Sequence, residues 1–198
     1  MFVATCPLIL ASASPRRREL LLSLGLHWTC IPASIDETPF ASEEPAAFAR
    51  RMAEDKAQTV AVQEPASACV LAADTLVCID GRILGKPCDQ QEALCFLELL
   101  NGRSHTVITA YSIKAGFCDL DHTAHTSTRV QFGHFDRSIL KAYAACGEPM
   151  DKAGAYAIQG AGCFLVAAVD GSSTNVIGLP VNEVVQVLVQ YQIIVPKG

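Results

Sequence analysis

No two cysteines of this chain stand in a Cys-x-x-Cys pair, although nine are present. That absence, with the odd count, excludes the usual zinc spacings and argues against a secreted disulfide framework. The thiols sit mostly in apolar runs, as Cys69 does in Ala68-Cys69-Val70-Leu71 and Cys78 in Leu76-Val77-Cys78-Ile79, where cysteine behaves as a small buried hydrophobe. Charge is scarce as well. Charged residues make up 18% of the chain against 51% hydrophobic, which excludes disorder and leaves a globular protein. Positive charge in excess is missing: 15 Lys and Arg face 20 Asp and Glu, for a net −5, so nothing draws a nucleic-acid polymer to the surface as a whole. An anion site, if there is one, is local and suits small charged metabolites. No apolar run approaches a membrane span, and the first residues carry neither the charged stretch nor the long apolar core of a signal peptide. The expectation is a soluble cytoplasmic protein with no membrane partner. Its 198 residues suffice for one sizeable core, or one core with two lobes.

Against these absences stands Ser12-Ala13-Ser14-Pro15-Arg16-Arg17-Arg18, directly after the apolar run Leu8-Ile9-Leu10-Ala11. The pattern predicts a buried strand that turns at once into a helix, with Ser14 as N-cap and Pro15 in the first turn, where its missing N–H is not needed. Leu20, Leu21, Leu22 and Leu24 supply an apolar face, and Gly25 ends the helix. Three arginines in the first turn are the anomaly, because the positive end of the helix dipole favours acidic residues there. An anion in front of the helix resolves it, meeting backbone N–H groups, hydroxyls and guanidinium forks together. Phosphate is the natural candidate.

The remaining pattern alternates between strand and helix. A short strand is expected at His27 to Ile31, then a loop with Asp36, Glu37 and Pro39, and a helix from Ala46 to Val62 with Lys56 near its middle. Val70 to Ile79 reads as a strand that returns through the Asp80-Gly81 turn to Ile83-Leu84. A helix follows from Gln90 to Leu100. Thr106 to Ile113 and Thr126 to Phe135 read as an antiparallel hairpin joined by a polar loop, with His122 and His125 exposed on that loop and not a metal pair. A helix at Ser138 to Ala145, a strand at Cys163 to Val169, a turn at Asp170 to Ser173 and a closing helix at Val181 to Tyr191 complete the chain. The fold class is α/β, with a mixed central sheet flanked by helices.

Asp74 lies inside Val70-Leu71-Ala72-Ala73-Asp74-Thr75-Leu76-Val77-Cys78, a strand expected to be buried on both faces. An ionised carboxylate there is costly unless a cation or several donors pair with it. It is either a buried cap for neighbouring backbone or a metal ligand or general base where the strand opens. Lys86, held between Gly85 and Pro87, has a restricted backbone that suits aiming a point charge. Asp36 and Glu37 could serve a divalent ion, and Glu148-Pro149-Met150-Asp151-Lys152-Ala153-Gly154-Ala155-Tyr156 leads to Gln159-Gly160 through a dense mix of charge, glycine and aromatic residues.

Taken together, Ala11-Ser12-Ala13-Ser14-Pro15-Arg16-Arg17, Ala73-Asp74-Thr75, Gly85-Lys86-Pro87, Asp151 to Tyr156, Gln159-Gly160 and Gly178-Leu179-Pro180 resemble the Maf family of nucleoside triphosphate pyrophosphatases, in the family's order and over almost the whole chain. The resemblance implies one domain over 1–198 with a fold like that of the inosine triphosphate pyrophosphatases, a cleft between two lobes, and a homodimer. The implied reaction takes a nucleoside triphosphate and water to the monophosphate and pyrophosphate with a divalent cation, Mg²⁺ with Mn²⁺ or Co²⁺ as alternatives. On the matching positions it makes Asp74 the proton acceptor and Glu37 and Asp74 the metal ligands. Ser12, Arg16, Arg17, Lys56 and Lys86 become phosphate contacts, and Thr75, Asp151, Lys152 and Gln159 complete the substrate-binding set. Arg16, Thr75 and Gln159 also match the branch acting on dTTP and UTP, where the branch preferring 7-methyl-GTP carries Trp, Gln and Glu. A neutral amide can donate to a pyrimidine carbonyl and accept from its N3–H. Two alternatives stand beside this reading: the same reaction on 7-methyl-GTP or another purine nucleotide, and a nucleotide-binding regulator of cell division and septum formation.

Overall fold

In the computed structural model, which describes residues 1–198, the elements run β1 (Phe2–Ala4), β2 (Leu8–Leu10), α1 (Pro15–Ser23), β3 (Thr29–Cys30), α2 (Pro45–Ala61), β4 (Cys69–Ile79), β5 (Arg82–Leu84) and α3 (Gln90–Leu100). They continue with β6 (Ser104–Ala115), β7 (Leu120–Phe132), α4 (Arg137–Ala145), β8 (Val166–Asp170), α5 (Ser173–Ile177), α6 (Val181–Gln190) and β9 (Ile194–Pro196). Short 3-10 turns occupy Gly116–Cys118, Glu148–Asp151, Ala153–Ala155 and Gly160–Leu165.

The larger sheet is mixed, in the order β3-β2-β4-β6-β7-β8, with β5 beside β4. β2 runs parallel to β3 and to β4, with Leu8 opposite Cys69. β5 folds back antiparallel on β4 through Asp80 and Gly81, both at positive φ (51° and 74°), the backbone that a two-residue hairpin turn demands. β6 and β7 are sheet neighbours joined by four residues, a connection only an antiparallel pair permits. β8 pairs antiparallel with β7, with a register shift at Gln131 and Phe132.

The chain divides into two compact units, one of Met1–Asp74, Thr109–Thr126 and Gly178–Gly198, the other of Thr75–Ile108 and Ser127–Ile177. In the first unit, alternate residues of β2 and β4 face opposite ways. Leu8, Leu10, Leu71 and Ala73 pack with Leu21 of α1 and with Val184, Val187 and Leu188 of α6. Ile9, Val70 and Ala72 pack with Ala57 and Val60 of α2. Burial on both faces is why these strands read as unbroken apolar runs. In the second unit, Val77, Val107, Val130 and Phe132 meet Leu94, Leu97 and Leu100 of α3 and Leu140 and Tyr143 of α4. Each fully buried aliphatic side chain of this kind contributes about 1.5–3 kcal/mol.

Three expectations need correction. Asp121 to His125 is strand, not loop: β7 begins at Leu120, and His122 and His125 are half-buried. The His122 ring lies against Tyr111, and Arg50 Nη1 lies 3.3 Å from His125 Nδ1. The strand expected from Cys163 starts only at Val166, because Gly160, at φ +78°, turns the preceding residues into a 3-10 segment. The polar turn after β8 ends early, since Ser173 already opens α5. An unexpected antiparallel ribbon joins β1 to β9, with Val3 opposite Val195; three-residue strands leave too little pattern to read. No helix is long and apolar enough to cross a membrane.

Candidate active site

The strand-to-helix junction forms as its sequence requires. Ser14 is the N-cap of α1, in extended backbone, and its hydroxyl accepts from Arg17 N at 3.5 Å. The buried Ser12 hydroxyl accepts from Ser14 N at 3.2 Å and from Arg17 Nη1 at 3.0 Å. Both of its acceptor sites are then filled, so its O–H remains as a donor for an incoming anion. Arg17 also donates from Nε to the carbonyl of Gly178 at 2.8 Å. Burial pulls this guanidinium below its usual range, Asp74 opposes that shift, Arg16 adds to it and Glu37 opposes it. The helix N-terminus thus carries one arginine folded back into the protein, a half-buried Arg16 and an exposed Arg18.

The carboxylate that stood out in β4 has found a cation. Lys56, from the middle of α2, places Nζ 2.7 Å from Asp74 Oδ1 and 2.7 Å from Glu37 Oε1. Lys56 and Asp74 are nearly buried, with side-chain exposures of 13% and 14%, whereas Glu37 is 60% exposed. A charge pair at this depth survives only because each partner offsets the other's lost hydration. No cluster of three or more His, Cys, Asp or Glu side chains with metal-ligand geometry is assembled. Two carboxylate oxygens do converge on one ammonium, and two hard oxygen donors at one point suit Mg²⁺, which is held through one or two carboxylates with substrate phosphates completing its shell.

The loop that carries Glu37 is itself anchored, which the residue pattern alone does not reveal. Asp36 Oδ1 accepts from Thr38 N at 2.9 Å and from Thr38 Oγ1 at 2.6 Å. Arg51 of α2 donates to both oxygens of Glu43, at 2.8 and 2.6 Å, and to the carbonyl of Thr38 at 3.1 Å, with its guanidinium 3.9 Å over the Phe40 ring. The Arg51 hydrogen bonds hold the Glu43 carboxyl down at about 2. Nothing local marks Glu43 and Arg51 as partners, since eight residues and a helix start separate them. A groove of about 660 Å³ between this loop and α2 is lined by residues including Thr38, Phe40, Arg51 and Val62, and by none of Glu37, Lys56 or Asp74.

The second unit holds Thr75, Lys86, Asp151, Lys152 and Gln159. Thr75 is half-buried, and Lys86 is exposed just beyond β5. Lys152 is committed within its own loop, donating to Asp151 Oδ1 and to the Glu148 carbonyl, each at 2.6 Å. Gln159 is exposed and starts the Gly160–Leu165 turn. Asn175 acts structurally, its Nδ2 donating to the Val107 carbonyl and to Thr128 Oγ1, each at 3.0 Å. The structure therefore brings Ser12 to Arg17, and Glu37, Lys56 and Asp74 to one another, within the first unit.

The sequence of the whole chain fits this arrangement of motifs. A profile of the family described as Maf-like protein matches residues 7–191, and the chain belongs to that family. A relative from Desulfotalea psychrophila, 46% identical over 194 residues, spans 98% of this chain and 99% of its own, and is named dTTP/UTP pyrophosphatase. A relative from Myxococcus xanthus with the same name is 49% identical over 181 residues, 91% of this chain and 90% of its own. A solved nucleoside-triphosphatase / dITP/XTP pyrophosphatase from Mycobacterium abscessus covers 94% of this chain and 95% of its own, at a TM-score of 0.47 and 10% identity.

Proposed function

We propose that this chain hydrolyses dTTP and UTP to the monophosphate and pyrophosphate. The observation that carries the reading is the Asp74–Lys56–Glu37 arrangement, two carboxylates on one ammonium, in a chain 43–49% identical to relatives named dTTP/UTP pyrophosphatase. Asp74 accepts the proton of a water whose oxygen attacks the α-phosphorus. A new P–O bond forms, the α–β anhydride bond breaks, and pyrophosphate leaves with the bridging oxygen. Ser12 donates its O–H to a phosphate oxygen, and Arg16, Lys56 and Lys86 balance the charge of the chain of phosphates. Arg17 fixes Ser12 and adds its own charge. Glu37 and Asp74 would hold a divalent cation, which supplies neutralisation of the oxygens that gain charge. Thr75 and Gln159 recognise the base, the Gln159 amide matching a pyrimidine carbonyl and N3–H. Asp151 and Lys152 complete the substrate contacts, and the enzyme acts as a cytoplasmic homodimer.

A pyrophosphate-release assay over dTTP, UTP, ATP, GTP and 7-methyl-GTP with Mg²⁺ tests the reading. dTTP and UTP are expected well ahead, with pyrophosphate as first product. Equal rates on all five remove the base-recognition role of Gln159, and orthophosphate as first product overturns the reaction.

A further inference from the structure

Glu148 is the most heavily used carboxylate of the second unit, and the hydrolytic reaction gives it no part to play. Its Oε1 accepts from Ala161 N at 3.0 Å, and its Oε2 accepts from Gly162 N at 2.8 Å and from Tyr143 Oη at 2.7 Å. Burial works to raise its carboxyl, but Tyr143, the two backbone N–H groups and Lys152 together hold it below the usual range. The amides it grips follow Gln159 by two and three residues. Close approach is built in: a Cβ added at Gly160, which sits at φ +78°, would run into Glu148 Oε1, and one at Gly162 would run into Tyr143 Oη. The segment before Gln159 is fixed too. Ala155 is buried at φ +60°, a conformation a non-glycine residue keeps only when its surroundings enforce it. Gly154 N donates to the Gly85 carbonyl at 3.0 Å, and Tyr156 Oη lies 2.7 Å from His105 Nε2. The chain on either side of Gln159 is thus clamped, while Gln159 itself is exposed.

We propose that Glu148 is a positioning residue that sets nucleobase discrimination, by fixing the turn from which Gln159 presents its amide. The proposal rests on the substrate reading given above. A recognition amide on a free loop would rotate to satisfy a purine edge as readily as a pyrimidine one. A carboxylate with three donors holds the turn in one orientation, and a polar group held in place rejects ligands that leave it unpaired.

The test is Glu148→Gln, whose amide offers one oxygen where the carboxylate offers two, alongside Tyr143→Phe, which removes a single donor. Amide hydrogen exchange at Ala161 and Gly162 is measured with steady-state kinetics on dTTP, UTP, ATP and GTP. Glu148→Gln is expected to speed exchange at one or both amides and to lower the dTTP:ATP ratio of kcat/KM by about tenfold, the scale of one hydrogen-bonded contact. The effect falls on KM for the pyrimidine nucleotides, with kcat changed much less. Tyr143→Phe moves both readouts in the same direction by a smaller factor. Unchanged exchange in Glu148→Gln overturns the clamp. A pyrimidine preference that survives faster exchange overturns the positioning role alone. Absence of any pyrimidine preference in the unaltered enzyme overturns the substrate reading and the role of Glu148 with it.

Discussion

The two compact units use their inward-placed carboxylates in opposite ways. In the first, Asp74 meets a charged partner, the Lys56 ammonium, and both side chains come from regular elements, β4 and α2. In the second, Glu148 meets neutral donors, two backbone N–H groups and a phenol, and it sits in a chain of 3-10 turns. A carboxylate paired with an ammonium can exchange that partner for other charges, which suits a site that handles phosphates and protons. A carboxylate bound to backbone N–H groups has no such exchange available and serves shape. The buried ion pair rests on regular elements, and the braced carboxylate rests on a loop.

The sharpest way to break this comparison is Asp74→Asn. It keeps the shape and removes the proposed base, so turnover should fall at least roughly a hundredfold, the usual scale for a general base, with the circular dichroism spectrum unchanged. Full pyrophosphate release from a folded variant would make Asp74 a structural partner of Lys56, no different in kind from Glu148. Arg17→Ala comes next. Its two anchors, on Ser12 and the Gly178 carbonyl, are lost together, and each charge-assisted contact is worth about 1.5–3 kcal/mol. Both the melting temperature and the KM for dTTP should respond, and Arg16→Ala should raise that KM as well.

A pH titration of stability sharpens the second half. His105 is buried against Phe132 and Tyr156, and burial lowers its value from 6.5 to about 4. Between those pH values the unfolded chain binds a proton that the folded one refuses, so stability is full above pH 6.5 and falls as the pH drops toward 4. At about 1.4 kcal/mol per unit the loss by pH 4 is roughly 3 kcal/mol, and His105→Gln should flatten it in urea melts. The smallest effect is expected from Arg18→Ala. Arg18 is exposed on α1, and substitution there should stay within about 0.5 kcal/mol in stability and leave KM unmoved. If Arg18 proved the most damaging of the three arginines, the orientation of the helix terminus would be wrong.

The units also differ in how far the sequence disclosed them. The first was legible because its candidate site residues carry strong local chemistry: Ser14 as cap, Pro15 in the first turn, Asp74 as a lone carboxylate inside an apolar strand. Even the Gly178 carbonyl that holds Arg17 belongs to the Gly178-Leu179-Pro180 motif, although 161 residues separate the two. The second was legible only in part. β5 and α3 followed from Asp80-Gly81 and from helical spacing, but the turns at Glu148–Asp151 and Gly160–Leu165 depend on a contact between Glu148 and residues thirteen and fourteen positions later. No local propensity encodes such a contact. The histidines of β7 failed for a related reason, since Asp121-His122-Thr123 has loop composition and becomes strand through pairing, with Lys114 of β6 bonding Asp121 at 2.7 Å.

One strand also turns the abundance of thiols into an instrument. β4 contributes Cys69 to the first unit and Cys78 to the second, and burial raises both thiols, Cys78 to about 11. Cys30, Cys88, Cys95, Cys146 and Cys163 are exposed. Once the exposed thiols are blocked with a neutral-pH alkylating reagent, the fully buried Cys69 reacts only when the first unit opens, and the half-buried Cys78, its thiol held up by desolvation, reports on loosening of the second. Timed labelling followed by peptide mass analysis would then clock the opening of the first unit and of the second separately, in the unmodified chain and with nucleotide present.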